Sequence, residues 1–497
     1  MSTLALEAAQ ARPVSLPYAY ARRNGVLLRE EDGVVSCLHR PDAIVEALLE
    51  VQRTARPDRF ARVSDEVFDD ALASAYGTAA SSAADFELDS VDLAALAESA
   101  AAVDDLLDSR DDSPVIRLIN ALLLQAIREG ASDIHVETQE KRLVIRFRID
   151  GILRDVLEPQ RALAPLLVSR IKVMARLDIA ERRVPQDGRV TLRIGGRDLD
   201  ARISTIPTQH GERVVLRLLE RDSMRLDLAS LGMSDRDESV FTALVKRPHG
   251  ILLVTGPTGS GKTTTLYTAL TRLNDRKRNI MTVEDPIEYE LPGIAQTQVN
   301  PRTDLTFARG LRAILRQDPD VIMIGEIRDH ETAEVAVRSA MTGHFVLSTL
   351  HTNTAIGSVT RLIDMGVERY LLAPMVVGLV AQRLVRQLCH ECRREDIASE
   401  SDAVLIGRAI QPGERIWRAN GCDTCRGDGF RGRVGLYEVV RVDDRLQAMI
   451  HDGASEAQLE AAAREAGNPS LLDDGLAKIR AGLTTIEEVA GVVREEQ

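Results

Sequence analysis

Gly256-Pro257-Thr258-Gly259-Ser260-Gly261-Lys262-Thr263 follows the apolar run Ile251–Thr255 and precedes a helical segment, Thr264–Leu273. A strand, a glycine-rich turn ending in Lys-Thr and a helix together read as a phosphate-binding loop. The glycines let backbone N–H groups wrap phosphate oxygens at a helix N-terminus, where the helix dipole also favours negative charge. Lys262 supplies a point charge to the β and γ phosphates, and the Thr263 hydroxyl can ligate magnesium. The candidate nucleotide site is therefore Gly256, Pro257, Thr258, Gly259, Ser260, Gly261, Lys262, Thr263 and Thr264.

Working outward, three more short apolar runs end in polar or small residues: Ile280–Glu284, Val321–Gly325 and Phe345–Thr349. Helical segments separate them, so the C-terminal half reads as an α/β domain with a parallel sheet. Hydrolysis needs more than a phosphate cradle, and the carboxylates at these strand ends are the candidates. Glu326 follows Val321-Ile-Met-Ile-Gly325 and is placed to orient or deprotonate an attacking water. Gly325 stands where many P-loop enzymes carry a magnesium-binding Asp. Glu284, in Val283-Glu284-Asp285-Pro286, could act with Glu326 or assist magnesium. His351 lies just beyond the run Phe345–Thr349, where a side chain can sense the γ-phosphate. Arg309, Arg312 and Arg316 are spaced to share one helix face, leaving Leu311, Ile314 and Leu315 for the core.

The chain has 497 residues, 44% hydrophobic and 28% charged, enough for several cores. Its longest apolar run, Tyr370–Ala381, is interrupted by Pro374 and Gly378 and is too short to span a membrane. The N-terminus lacks a signal-peptide pattern, so a cytosolic chain is expected, attached to membranes through partners. Net charge is −13, which weighs against wholesale nucleic-acid binding. The charge is uneven: Ser64–Asp112 carries 14 acidic residues against Arg110 alone, and Lys141–Arg221 carries 18 basic against 10 acidic.

These shifts divide the chain into an N-terminal docking module (1–70), an acidic Ala/Ser/Asp-rich linker (71–112) with a helix possible around Val91–Leu107, an arginine-rich α+β domain (113–231) and the nucleotide domain (232–497). Cys389-His-Glu-Cys392 and Cys422-Asp-Thr-Cys425, with 29 residues between the pairs, read as one tetrahedral structural zinc site. A zinc module at 386–436 and a helical part at 437–497 are thus expected inside the last domain. Cys37 is left over.

The four segments around Lys262, Glu284, Glu326 and His351, in this order, resemble the Walker A, aspartate, Walker B and histidine boxes of type II and type IV secretion ATPases. Asp200-Ala-Arg202-Ile-Ser-Thr and Gly211-Glu-Arg213-Val-Val-Leu-Arg217 also resemble family segments. Gly429-Phe-Arg431-Gly-Arg433-Val-Gly435-Leu-Tyr437-Glu438 resembles the segment after the family's metal module. Leu16-Pro-Tyr-Ala-Tyr-Ala-Arg-Arg23-Asn-Gly25-Val-Leu-Leu28 resembles the type II secretion branch. Thr354 stands where many relatives carry Asp.

The resemblance implies a RecA-like ATPase domain and a motor using ATP, Mg2+ and Zn2+, with Arg202 and Arg217 supplied to nucleotide. It further implies a homo-hexamer that drives pseudopilus assembly. The N-terminal module would dock on the cytoplasmic domain of the bitopic inner-membrane L component, near an inner-membrane platform protein, with no nucleic acid bound. A type IV pilus assembly ATPase and a zinc-bearing DNA-translocating ATPase are the alternatives.

Overall fold

The computed structural model describes residues 16, 21, 24–31, 34–41, 43–64, 67–68, 71, 93–101, 114–194, 197–220, 228 and 230–494. Most of the expected linker and much of the N-terminal motif from Leu16 lie outside the described residues. The chain divides into two compact units, Met1–Phe147 with Arg154–Leu218, and Arg148–Leu153 with Leu219–Gln497.

In the first unit, β1 (Val26–Glu31), β2 (Val34–His39) and β3 (Arg59–Arg62) form a small sheet. β2 pairs antiparallel with β1 and parallel with β3, and the helix Val45–Thr54 makes the crossover. Val26 and Leu28 bury with Cys37 and Val51, whereas Leu27 buries with Phe68. This is the period-two alternation of a strand covered on both faces.

Within the expected linker, the helix Leu93–Ala101 buries Leu93, Ala97 and Ala100 and packs on the helix Pro114–Glu129. The latter turns Val115, Leu118, Ile119, Leu122 and Ala126 inward, a stripe at helical spacing. A six-stranded sheet follows, built from β4 (Ala131–Thr138), β5 (Leu143–Ile149), β6 (Ile152–Leu157), β7 (Gln186–Ile194), β8 (Arg197–Thr208) and β9 (Gly211–Glu220), in the order β6-β5-β4-β9-β8-β7.

The second unit holds β10 (Gly250–Thr255), β11 (Ile280–Glu284), β12 (Ala295–Gln298), β13 (Val321–Ile324), β14 (Phe345–Leu350) and β15 (Val376–Leu388). β16 (Arg394–Ile397) and β17 (Arg415–Arg418) pair apart, and β18 (Phe430–Arg441) returns antiparallel to β15. The main sheet has the order β12-β11-β13-β14-β10-β15-β18 and is parallel except at that last pair.

The apolar runs are strands because both faces are covered. Leu252, Val254, Met323 and Leu347 bury on one side; Ile251, Leu253, Ile322 and Val346 bury on the other. Each such side chain contributes about 2 kcal/mol relative to exposure. Four helices close the chain: Asp444–Asp452, Glu456–Glu465, Leu471–Arg480 and Ile486–Arg494. The side chains of Asp443, Ser455 and Ser470 cap the first three. No described helix is long and apolar enough to cross a membrane.

The expected three-arginine face does not form. The regular helix ends at Ile314, and Arg316 lies in the tighter turn that follows, its amide donating to the Ala313 carbonyl at 3.1 Å. Arg309 pairs with Asp304, Arg312 pairs with Glu331, and Arg316 Nη1 donates to the Arg312 carbonyl at 2.8 Å. Leu311 and Ile314 are buried as expected, and Leu315 only partly.

Candidate functional site

β13, β14 and β10 are neighbours in a parallel sheet, so their C-terminal ends open on the same edge. Such an edge is where α/β sheets hold ligands. The loop 256–261 leaves β10 there and leads straight into the helix Lys262–Leu273. Gly256 has φ 147°, and a Cβ on it would meet the Gln382 carbonyl oxygen at 2.4 Å, so the loop lies against β15 as only glycine allows.

Lys262 is buried and its ammonium donates to the carbonyls of Gly256 at 2.7 Å and Pro257 at 2.9 Å. Burial lowers its pKa to about 8; Arg383 pushes the same way and Glu326 opposes. Ser260 Oγ is buried with no hydrogen-bond partner, while Pro257, Thr258, Gly259 and Thr263 are exposed. A curled loop with an orphaned hydroxyl, a lysine and an exposed helix N-terminus fits a phosphate chain.

Glu326 is 12% exposed and sits one residue past Gly325. A Cβ at Gly325 would lie 3.3 Å from the Glu284 Cα, so glycine here lets β13 end close beside β11. Arg328 Nη2 lies 2.5 Å from one Glu326 oxygen, and His351 Nε2 lies 3.5 Å from the other. Burial and the nearby Lys262 lower the His351 pKa, outweighing the pull of Glu326.

Glu284 is not a solvated strand end. At 2% exposure it accepts hydrogen bonds from the Tyr267 hydroxyl, from Thr282 Oγ1 at 2.5 Å and from Gln296 Nε2 at 3.0 Å. Burial and the adjacent Glu284 raise the Tyr267 pKa, so the phenol stays a donor. Both Glu284 oxygens are occupied, which suits a carboxylate that positions the end of β11.

Several residues that the motifs do not mark complete the edge. Thr255 Oγ1 lies 2.7 Å from Thr352 Oγ1 and accepts from the Thr352 amide at 2.8 Å, tying the strand before the loop to the segment after His351. Arg383 and Gln382 approach from β15. Thr255, Arg328 and Thr352 stand within two residues of Gly256, Glu326 and His351 and could have been read from the sequence; Gln382 and Arg383 are distant in the chain and could not. Thr354 Oγ1 accepts from the Gly357 amide at 3.0 Å, at the start of the helix Gly357–Asp364.

Arg202 and Arg217 belong to the first unit. Arg202 is on β8 opposite Arg189 of β7. Arg217 on β9 is 60% exposed and its Nε donates to Asp133 Oδ1 at 3.0 Å.

The four cysteines converge. All four sulfur atoms lie within 4.8 Å of one another, with separations of 3.9 Å for Cys389 and Cys422, and 3.7 Å for Cys392 and Cys425. A tetrahedral ion with metal–sulfur bonds of about 2.3 Å requires sulfur separations of about 3.8 Å, close to the 3.9 Å of Cys389 and Cys422 and the 3.7 Å of Cys392 and Cys425. Burial works against a Cys425 thiolate, but amides of Cys422 at 3.2 Å and Gly429 at 3.1 Å point at its sulfur and bring its pKa to about 6. Cys37 is buried elsewhere, and burial raises its pKa to about 11.

A family profile described as "Type II/IV secretion system protein" matches residues 108–491, and a second, for a domain of "GSPII protein E", matches residues 15–76. The chain is 56% identical to Type II secretion system protein E of Pseudomonas aeruginosa, over 99% of this chain and 98% of the relative. It is 53% identical to Type II secretion system ATPase E of Vibrio cholerae, over 97% of each. Among solved structures, the ATPase DotB of Legionella pneumophila shares the fold, with a TM-score of 0.57 at 21% identity over 76% of this chain and 96% of that one. With a family profile over most of its length and full-length relatives at this identity, the chain belongs to the type II/IV secretion system protein family, in the branch of the type II secretion system E proteins.

Proposed function

We propose that this chain is the ATP-hydrolysing motor of a type II secretion system, working as a homo-hexamer that powers pseudopilus assembly and protein export. The observation that carries the reading is the meeting of Lys262, Glu326 and His351 at the edge formed by β10, β13 and β14, in a chain of this family. Residues 256–264 hold the triphosphate. Thr263 would hold Mg2+, which neutralises phosphate charge. Glu326 takes a proton from water as the water oxygen bonds to the γ-phosphorus, and the bond to the β-phosphate oxygen breaks to give ADP and phosphate. His351 reads the γ-phosphate through its contact with Glu326. Glu284 holds the end of β11 in place.

Arg202 and Arg217, always charged and forked, spread γ-phosphate charge at a neighbouring subunit's site. The sulfur separations support Zn2+ in the four-cysteine set. The domain partition read from the sequence serves this function: residues 1–70 dock on the L component and hold an otherwise cytoplasmic protein at the inner membrane, beside the platform protein.

The test is kinetic. Lys262→Ala should lose nucleotide binding, and Glu326→Gln should bind ATP yet hydrolyse it at least about a hundredfold more slowly. Hydrolysis by the Gln variant at wild-type rate would refute the base assignment. Mixing inactive Lys262→Ala with inactive Arg217→Ala under subunit exchange should restore part of the activity; mixtures as dead as the parents would place Arg217 outside the neighbour's site.

A further inference from the structure

β15 runs beside β10 with Val254 opposite Val380 and Thr255 opposite Ala381, so the next residues, Gln382 and Arg383, flank the start of the phosphate loop. Successive side chains of a strand leave opposite faces of the sheet. Gln382 takes the face of the helix Lys262–Leu273, where its Oε1 accepts from Thr265 Oγ1 at 2.8 Å. Arg383 takes the other face. Its Nη2 donates to the Asn353 carbonyl at 2.9 Å and its Nη1 to the Gln382 carbonyl at 3.1 Å. The residue is 4% exposed, and Nη1 would lie 3.1 Å from a Cβ on Gly256.

We propose that Arg383 is a positioning residue for hydrolysis: its guanidinium bridges the strand beneath the phosphate loop to Asn353, two residues past His351, and so keeps Lys262 and His351 in one geometry. The planar fork fixes the direction of both bonds, one to the Gln382 carbonyl on its own strand and one across to Asn353, whereas a lysine ammonium on its flexible stem would hold neither direction. The electrostatic reach of Arg383 to Lys262 agrees with this placement. Thr255 separately holds Thr352, the residue between His351 and Asn353, so loss of Arg383 removes one of the two anchors on the far side of His351 without releasing the loop. The inference rests on the nucleotide-site reading above.

The experiment uses the full chain carrying Arg383→Lys or Arg383→Gln, with ATP affinity and turnover measured separately. Both variants should keep ATP dissociation constants within about threefold of wild type and lose at least about tenfold in kcat, the penalty of misplaced reacting groups. Wild-type kcat in Arg383→Lys would overturn the proposal, since charge alone would then suffice. Affinity and turnover falling together, or both variants failing to fold, would also overturn it by assigning Arg383 to binding or to the fold. A failure of the nucleotide-site reading shows instead in Glu326→Gln, which would then turn over normally whatever Arg383 does.

Discussion

His351 Nε2 lies 3.5 Å from a Glu326 oxygen, across the ends of two adjacent parallel strands. With its pKa lowered by burial and by Lys262, the imidazole meets Glu326 as a largely uncharged group near neutral pH. His351→Asn should therefore reduce kcat about tenfold and leave ATP affinity within about threefold, because the contact acts on the step rather than on binding. Equal losses in affinity and kcat would make His351 a binding group.

The Lys262 pKa of about 8 makes nucleotide affinity pH-dependent. Phosphate binds the ammonium form, so affinity is full below pH 8 and is lost as pH rises through it. ATP binding should weaken about tenfold between pH 7 and pH 9, from the loss of the charged form alone. Lys262→Arg, whose guanidinium stays protonated, should flatten that profile even if it binds more weakly. A wild-type profile that is flat across this range would show that Lys262 is not held at the lowered pKa.

Glu284 should matter for the fold before it matters for chemistry. Glu284→Ala leaves Tyr267, Thr282 and Gln296 donors without their acceptor in a buried site, at a cost of about 3 kcal/mol in unfolding free energy by denaturant titration. Wild-type stability with abolished hydrolysis would return Glu284 to a direct role in the reaction.

The cysteine set should carry one zinc per chain, and Cys422→Ser should lose it. Structural zinc contributes on the order of 10 kcal/mol to small modules, so amide exchange should accelerate across residues 389–429 in the variant while nucleotide still binds. Purified wild-type protein without bound metal would overturn this assignment.

Legibility followed the range of the interactions. The phosphate loop could be read because its glycines, Lys262 and Thr263 are consecutive, and a helix N-terminus cradles phosphate wherever such a stretch occurs. The paired cysteines could be read for the same reason within each pair. The arginines at 309, 312 and 316 misled, because helical spacing presumes a helix that reaches all three, and this one ends at Ile314. In the stretch 71–112 the helix expected around Val91–Leu107 forms over Leu93–Ala101, and composition alone did not show that Leu93, Ala97 and Ala100 bury where it meets the helix Pro114–Glu129.

By itself the sequence determined a P-loop α/β domain, the identity of its acidic and basic candidates and a paired four-cysteine set, because each is encoded in short spacing and in strand-length apolar runs. Only the tertiary structure decided which candidates meet. The strand order puts β14 between β13 and β10 and thereby joins Glu326, His351 and Lys262. The same order buries Glu284 under three donors and brings Arg383 from β15 to the loop. Those contacts depend on which strands become neighbours, a choice made by collective burial of both sheet faces, and no local stretch of chain carries that information.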